Sequence, residues 1–275
     1  MKNIYITDLD HTFLRSDLSI SDYTKKIWNA QRKNSILGIA TARTYKKTAQ
    51  FLEGIAVNAP MILLDGALIA TVDKKIIDTK FINKEIADII IDEGGCLGIY
   101  PFVLSLIGND LSEAFSYSTK LNSYQSEIIK RYSNDDHTHQ FKELRAMEQN
   151  FKIVYMADEE ILLELEKKIR AIFKDELKYI LAPEAYMGCY FLTILHKDAD
   201  KAHGIRSVSE AAGFDLDKLT VFGDNYNDIG MFELANKAVA VANAQDGVKK
   251  KADIVLPHTN DEDGVARYLE TLQDG

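Results

Sequence analysis

The chain has 275 residues, 42 of them acidic and 33 basic, which gives a formal charge of −9. This length favours one α/β domain with a sizeable insertion, and the 46% of apolar residues is typical of a folded globular protein. The acidic balance argues against nucleic acid and anionic membranes as partners, because both bind basic surfaces.

The start of the chain predicts no signal peptide, because Met1 is followed almost directly by an apolar run and Asp8. No apolar stretch reaches the length of a membrane span. Cys96 and Cys189 are expected to be free thiols in a reducing compartment. We therefore expect a cytoplasmic protein, and the sequence leaves its oligomeric state open.

Short apolar runs rich in β-branched residues predict strands that are buried on both faces, as in a parallel sheet covered by helices. These runs lie at residues 4–7, 36–40, 61–64, 219–222 and 238–241. Helical spacing occurs at residues 21–33, 44–53, 201–212, 227–235 and 263–272. Gly213 is expected to end the third of these helices. The repetition of strand and helix predicts an α/β fold with a doubly wound, mostly parallel sheet.

The middle of the chain breaks this repetition. Residues 150–156 and 190–194 are predicted to be strands, and residues 158–173 a helix. We therefore expect an inserted α+β domain at residues 81–194. The sheet domain would then comprise residues 1–80 and 195–275.

Two carboxylates follow the first predicted strand, at the sheet edge where doubly wound folds bind their ligands. Asp8 and Asp10 are separated by one residue and followed by Thr12. So close a pair repels unless a cation neutralises it, and oxygen ligands suit Mg²⁺. An aspartate can also be a nucleophile that forms an aspartyl-phosphate. From this run alone, a turn capped by Thr12 is an equally good interpretation.

Two further residues occupy positions where they can bind a phosphate. Thr41 follows the second predicted strand, where its hydroxyl can bind a phosphoryl oxygen, although a helix cap alone would explain it. Lys201 opens the helix after the insertion, where the helix dipole disfavours a cation. Such a lysine can hold a nucleophile ionised and neutralise phosphate charge, and a solvated lysine is the alternative.

The fourth predicted strand ends in a second acidic group. Gly223 allows close approach to a ligand, Asp224 can complete a metal site, and Asp228 can support water or the lysine. Independent helix caps are a poor explanation for all these groups at one edge of one sheet. The sequence therefore predicts an active site there.

The order and spacing of these residues resemble the haloacid dehalogenase superfamily. Its pattern is Asp-x-Asp-x-Thr, then Ser or Thr, a distant Lys, and Gly-Asp-x-x-Asn-Asp. Residues 40–43, 243–244 and 260–266 narrow the likeness to the Cof-type phosphatases with an α/β cap of type IIB. The resemblance implies a Rossmann-like core, an inserted cap, and a magnesium-dependent phosphoric monoester hydrolase.

The resemblance also implies a role for each residue. Asp8 would be the nucleophile, and Asp10 would protonate the leaving alcohol and then activate water. Mg²⁺ would be bound by the Asp8 carboxylate, the Asp10 backbone carbonyl and Asp224. The residues expected to bind the phosphoryl group or to support the site are Thr12, Thr41, Arg43, Lys201, Asn227 and Asp228.

Two positions depart from the family pattern. His11 stands where Gly is usual, and we expect a tolerated turn residue, with a substrate contact or a pH sensor as alternatives. Asp65 stands where Asn is usual, so that a neutral amide becomes a carboxylate. This change is expected to bias the pocket against anionic substrate groups.

Selectivity is expected to come from the inserted cap. Tyr100, Phe102, Tyr186 and Tyr190 can stack on a sugar or another flat ring, and core packing is the alternative for each. The expected substrate is a small phosphorylated metabolite, either a sugar phosphate or a phosphorylated cofactor such as flavin mononucleotide or pyridoxal phosphate.

Two other functions fit the same residues. One is a phosphomutase, which would return the phosphoryl group to its substrate. The other is a non-catalytic phosphoacceptor or sugar-phosphate-sensing module. Asp10 argues against the second, because an acceptor domain has no leaving alcohol to protonate.

Overall fold

The computed structural model describes residues 2–108, 111–131, 138–184 and 187–272. The chain divides into two compact units. The first, here called the core unit, comprises Met1–Thr79 and Ala199–Gly275. The second, the inserted unit, comprises Lys80–Asp198.

The strands of the described residues, in chain order, are β1 Asn3–Thr7, β2 Ser35–Ile39, β3 Met61–Leu63, β4 Leu68–Ala70, β5 Ile76–Thr79, β6 Ile82–Asn83, β7 Phe102–Ile107, β8 Ser112–Ser118, β9 Thr138–Phe141, β10 Gln149–Ala157, β11 Leu177–Glu184, β12 Cys189–His196, β13 Leu219–Gly223, β14 Lys237–Ala240 and β15 Ile254–Val255. The helices of the same residues are α1 Asp22–Ala30, α2 Tyr45–Phe51, α3 Lys84–Cys96, α4 Ser123–Arg131, α5 Glu159–Phe173, α6 Lys201–Ala212, α7 Ile229–Leu234, α8 Asp246–Lys249 and α9 Gly264–Thr271.

The core unit contains a parallel sheet in the order β15-β14-β13-β1-β2. Strand β1 lies between β13 and β2, with Ile4 opposite both Leu219 and Ile36. Four of its five residues are buried, which explains the continuous apolar pattern of this strand. The carboxyl ends of β1, β2 and β13 therefore meet at one edge.

The predicted strand at residues 61–64 is present, but it pairs mainly outside the parallel sheet. Strand β3 pairs antiparallel with β4, which pairs antiparallel with β5. A single parallel bridge between Ala40 and Ile62 connects it to the parallel sheet. The strand itself was predicted correctly, but its antiparallel pairing with β4 was not, because an apolar run does not reveal that the chain turns back after Leu63.

Local side-chain contacts set the ends of several helices. The Ser21 side chain accepts the N–H of Thr24 at the start of α1, and Asp200 accepts the N–H of His203 at the start of α6. Gly213, at φ 66°, ends α6 as predicted. No helix of the described residues is long and apolar enough to cross a bilayer.

The inserted unit is built on a mainly antiparallel sheet in the order β11-β12-β10-β7-β8-β9, with β6 also pairing with β10. Helix α5 buries Leu162, Leu165, Ile169 and Phe173, whose spacing places them on one face. These side chains join an apolar cluster that includes Ile153 of the sheet. The predicted strands at 150–156 and 190–194 and the predicted helix at 158–173 are present. The strands β6, β7, β8, β9 and β11 of this unit were missed.

Trp28 anchors helix α1 to the turn that follows β1. Its side chain is fully buried, and its Nε1 donates to the carbonyl oxygen of Ala56 at 2.8 Å. Its ring meets that of Phe13 edge-on, with centroids 4.8 Å apart. Since Phe13 ends the turn that begins after Asp8, this packing helps to fix the turn.

We predict that Trp28→Ala lowers the free energy of unfolding by about 3–5 kcal/mol, because a large buried ring is lost. Urea unfolding followed by far-UV circular dichroism measures this, since Trp28 is the only tryptophan and cannot report on its own removal. Val72→Ala is the matched control, because this side chain is 52% exposed. Equal destabilisation by both variants would contradict the packing role.

Candidate active site

The turn after β1 requires an unusual backbone conformation. It spans Leu9–Phe13, and His11 within it has φ 55° and ψ 8°, in the left-handed region. Glycine adopts this conformation without a steric penalty, whereas histidine does so at a cost. His11 thus occupies a turn position that suits the glycine usual in the family, in agreement with the expected turn role.

Three buried carboxylates form one cluster at the ends of β1 and β13. Asp8, Asp224 and Asp228 each offer an oxygen within 4.8 Å of the others. Lys201, only 1% exposed, places its Nζ 2.6 Å from Asp8 Oδ1 and 2.6 Å from Asp228 Oδ1. The first residue of α6 therefore delivers a buried ammonium into an acidic cluster.

The pKa values in this cluster follow from burial and charge. Burial raises the pKa of Asp8 well above its ordinary value, partly opposed by the ammonium of Lys201. Burial and the charge of Asp228 raise the pKa of Asp224 to about 6. Burial lowers the pKa of Lys201, but Asp228 and Asp8 outweigh it and the net shift is upward. Three carboxylates share one ammonium, and their mutual repulsion adds to burial in raising the pKa values of Asp8 and Asp224.

Asp228 also organises the loop that carries Asp224. Its Oδ2 accepts the backbone N–H groups of Asp224 at 2.9 Å and Asn225 at 3.0 Å. A Cβ on Gly223 would lie 2.5 Å from the same oxygen, so the loop requires glycine there. On the other side, the Thr12 hydroxyl donates to Asp224 Oδ1 at 2.9 Å.

The Asp10 carboxylate lies outside the cluster. It accepts from Arg43, whose Nε lies 2.7 Å from Asp10 Oδ2 and whose terminal nitrogen bonds the other oxygen. The Arg43 guanidinium in turn lies 4.6 Å from the ring centroid of Phe51. The Asp10 side chain is 36% exposed, so it can exchange partners, unlike the buried Asp8.

Thr41, Asp65 and Asn227 are brought together beside the cluster. Thr41 is fully buried, and its carbonyl oxygen accepts the N–H of Asp65 at 3.0 Å. Asn227 Nδ2 donates to Asp65 Oδ1 at 2.9 Å. A Cβ on Gly66 would lie 2.0 Å from the carbonyl oxygen of Asp200, so this loop packs tightly against the residue before Lys201.

Three of the four aromatic residues that were predicted to stack on the substrate make side-chain contacts within the inserted unit. The Tyr100 hydroxyl accepts from Lys120 Nζ at 3.1 Å, and Phe102 stacks on Phe115 with centroids 4.8 Å apart. Tyr190 packs against the apolar cluster that includes α5. Tyr186 lies outside the described residues. Their contact with a substrate stays a prediction.

Sequence reasoning gave Asn243 and Asn260 no role beyond the family resemblance. Asn243 Nδ2 donates to the His11 carbonyl oxygen at 2.7 Å, and its Oδ1 accepts the N–H of Asn260 at 3.0 Å. Asn260 Nδ2 donates to the Leu14 carbonyl oxygen at 3.0 Å. Both amides therefore fix the turn between Asp8 and Leu14. The sequence did contain one indication of a role for Asn243 in the site, because this residue follows a predicted strand at the same sheet edge.

The sequence model of the haloacid dehalogenase-like hydrolase family matches residues 5–269 of the chain. The chain belongs to this family. The prediction from the sequence motifs is thereby confirmed, as is the α/β fold class with its mostly parallel sheet.

Relatives named as phosphatases resemble the chain over nearly its whole length. A putative phosphatase of Haemophilus influenzae is 26% identical over 274 residues, covering 98% of each chain. A 5-amino-6-(5-phospho-D-ribitylamino)uracil phosphatase of Bacillus subtilis is 26% identical over 292 residues, covering 100% of this chain and 99% of the relative. These relatives and the family confirm the predicted enzyme class, a phosphoric monoester hydrolase.

Solved structures show the same fold. A Thermotoga maritima protein is 26% identical with a TM-score of 0.79, covering 98% of this chain and 97% of the other. A sugar phosphatase of haloacid dehalogenase subclass IIB is 22% identical with a TM-score of 0.74, covering 99% of both chains. The second likeness, at this identity, concerns the fold alone.

We predict that Thr12→Val lowers the free energy of unfolding by about 1–3 kcal/mol in the presence of a chelator, because Asp224 loses a buried hydrogen bond. Urea unfolding measures the change. The matched control is Thr48→Val, since the buried Thr48 hydroxyl has no hydrogen-bond partner in the part of the chain that the structure describes and its replacement should be near neutral. Equal losses in both variants would contradict a specific role for the Thr12 hydroxyl.

Proposed function

We propose that this family member is a magnesium-dependent phosphatase that acts on a small phosphorylated metabolite through an aspartyl-phosphate on Asp8. The observation that carries the proposal is the buried ammonium of Lys201, held 2.6 Å from both Asp8 and Asp228. A lysine that neutralises a buried nucleophilic carboxylate is what attack on an anionic phosphate requires.

The donor set fits Mg²⁺. Three carboxylates and one ammonium leave the cluster with two formal negative charges, which a divalent cation balances. Hard oxygen ligands are also those that Mg²⁺ prefers. Asp8 and Asp224 would bind the ion, with the Asp10 carbonyl as a further ligand and Asp228 in support. When bound, the ion supplies positive charge that allows the anionic phosphate to approach.

Asp8 would open the reaction. One of its carboxylate oxygens attacks phosphorus, a P–O bond to Asp8 forms, and the bond from phosphorus to the ester oxygen breaks. The departing alcohol takes a proton from Asp10. Lys201 and the Thr41 hydroxyl bind oxygens of the phosphoryl group, with Asn227 nearby.

Asp10 would then reverse its role. It takes a proton from water, the water oxygen bonds to phosphorus, and the Asp8–phosphorus bond breaks to release inorganic phosphate. In the structure the Asp10 carboxylate is paired with Arg43. The proposal therefore requires Asp10 to leave Arg43 and turn toward the substrate, which its partial exposure permits.

The substrate class we propose is a sugar phosphate. The related Bacillus enzyme is named for a phosphorylated ribityl compound, and one similar structure is a sugar phosphatase. Both names describe phosphate esters of polyhydroxy compounds, which supports this choice. In the same proposal the inserted unit is the cap that selects the substrate.

We predict that the protein hydrolyses p-nitrophenyl phosphate in the presence of Mg²⁺ and that Asp8→Asn lowers kcat by about a thousandfold or more. Asparagine preserves the shape of the side chain but is a poor nucleophile. Asp217→Asn, at an exposed position, is the control and should retain full activity.

Inorganic phosphate is measured beside nitrophenol, because a phosphomutase would retain the phosphoryl group. Turnover that survives Asp8→Asn in a folded protein would overturn the mechanism.

We predict that Mg²⁺ raises the melting temperature of the protein, because it binds the folded state. An ion at a hundred times its Kd contributes about 2.7 kcal/mol to stability. The shift should be much smaller in Asp224→Asn and unchanged in Asp217→Asn, with NaCl at matched ionic strength as the blank. A full shift in Asp224→Asn would exclude the proposed ligand.

A further inference from the structure

Asp65 is a buried acidic side chain to which the proposed reaction gives no role. It is 8% exposed, and its Oδ1 accepts one hydrogen bond, from Asn227. Within the described part of the chain, no lysine or arginine forms an ion pair with this carboxylate. The charge of Asp65 acts on Lys201, but that ammonium already bonds Asp8 and Asp228. A buried carboxylate that shares its cation in this way is unfavourable unless a ligand compensates it.

The position of Asp65 places this charge beside the phosphoryl site. Its backbone N–H donates to the carbonyl oxygen of Thr41, and its side chain bonds Asn227. The next residue, Gly66, packs against Asp200, directly before Lys201. Asp65 therefore contacts Thr41 and Asn227 directly, and its neighbour Gly66 packs beside the start of the helix that carries Lys201. Thr41 and Lys201 are the residues proposed to bind the phosphoryl group, with Asn227 nearby.

The backbone around Asp65 is held in a strained conformation. Leu64, Asp65 and Gly66 all have left-handed φ values, of 52°, 55° and 90°. Only the third is a residue that adopts such values freely. Strain of this kind persists where the surroundings impose it, and it concentrates at functional sites. Here it fixes the carboxylate next to Asn227.

The balance of charges around Asp65 indicates which substrate groups its carboxylate favours. Lys201 is already shared by Asp8 and Asp228, and a divalent cation would balance the rest of the cluster. Asp65 adds a fourth carboxylate whose charge acts on Lys201, so four formal negative charges face one ammonium and one divalent cation. One negative charge then remains in excess close to an incoming phosphate, which is itself anionic. A hydrogen-bond donor on the substrate would compensate it, whereas a second anionic group would be repelled.

We propose that Asp65 is a specificity-determining residue. It favours phosphate monoesters whose alcohol portion carries an ammonium or hydroxyl group within a few atoms of the ester, and it rejects those with a carboxylate there. The inference rests on the proposed phosphatase function and deepens it, because it defines the substrate class of the same site.

The test compares wild type with Asp65→Asn. Asparagine retains an oxygen for Asn227 and tolerates the left-handed conformation, so the substitution removes the charge with little other change. The substrates are 3-aminopropyl, 3-hydroxypropyl, butyl and 3-carboxypropyl phosphate, together with their homologues shorter by one carbon. For each, kcat/KM is measured from released phosphate at a fixed Mg²⁺ concentration.

Wild type should prefer the amino and hydroxy esters to the alkyl ester, and should use the carboxy ester least. Asp65→Asn should lower kcat/KM about tenfold for the amino ester and raise it about tenfold for the carboxy ester, with the alkyl ester nearly unchanged. The ratios between substrates do not depend on the folded fraction of the variant. Asp73→Asn, which removes the same charge from an exposed position, should leave all ratios unchanged.

The outcomes separate this inference from the proposed function. One outcome is that wild type turns over p-nitrophenyl phosphate but Asp65→Asn changes kcat/KM for every ester by one common factor. Asp65 then only supports the fold or Lys201, and the inference is overturned. It is equally overturned if wild type does not distinguish the amino from the alkyl ester. If wild type hydrolyses no phosphate ester at all, the proposed function itself fails.

Discussion

The buried contact of Lys201 with Asp8 and Asp228 is the interaction on which the rest of the site depends. Three carboxylates within 4.8 Å of one another cannot stay ionised together without positive charge among them. Removing one partner from a buried ion pair costs about 3–5 kcal/mol. Since Lys201 is the first residue of α6, this contact also sets where α6 begins relative to β1 and β13.

Residues that do no chemistry hold the charged groups in place. Gly66 and Gly223 allow two loops to pass so close to Asp200 and Asp228 that any side chain would collide. In addition, the amide of Asn243 holds the turn after Asp8. The geometry of the acidic cluster thus depends both on close backbone packing and on amide hydrogen bonds.

The sequence predicted best the features that depend on a few consecutive residues, such as a buried strand or the start of a helix. Strand β1 is buried on both faces, so its continuous apolar run could be read directly, and the unusual position of Lys201 at a helix start marked it as functional. Strand β8 alternates serine or alanine with larger residues, so it contains no continuous apolar run that would predict a strand. The pairing of Asp10 with Arg43 was missed because it depends on rotamers, which spacing does not encode.

The order of strands in the core unit has a consequence for synthesis on the ribosome. Strand β1 pairs with β13, and Ile4 lies opposite Leu219, so more than two hundred residues are translated before that edge of β1 finds its partner. At ordinary translation rates this takes about 10–40 s. The inserted unit is continuous in sequence and is complete before β13 emerges. Asp8, one of the three carboxylates of the acidic cluster, is therefore made long before Asp224 and Asp228, which belong to the last fifth of the chain.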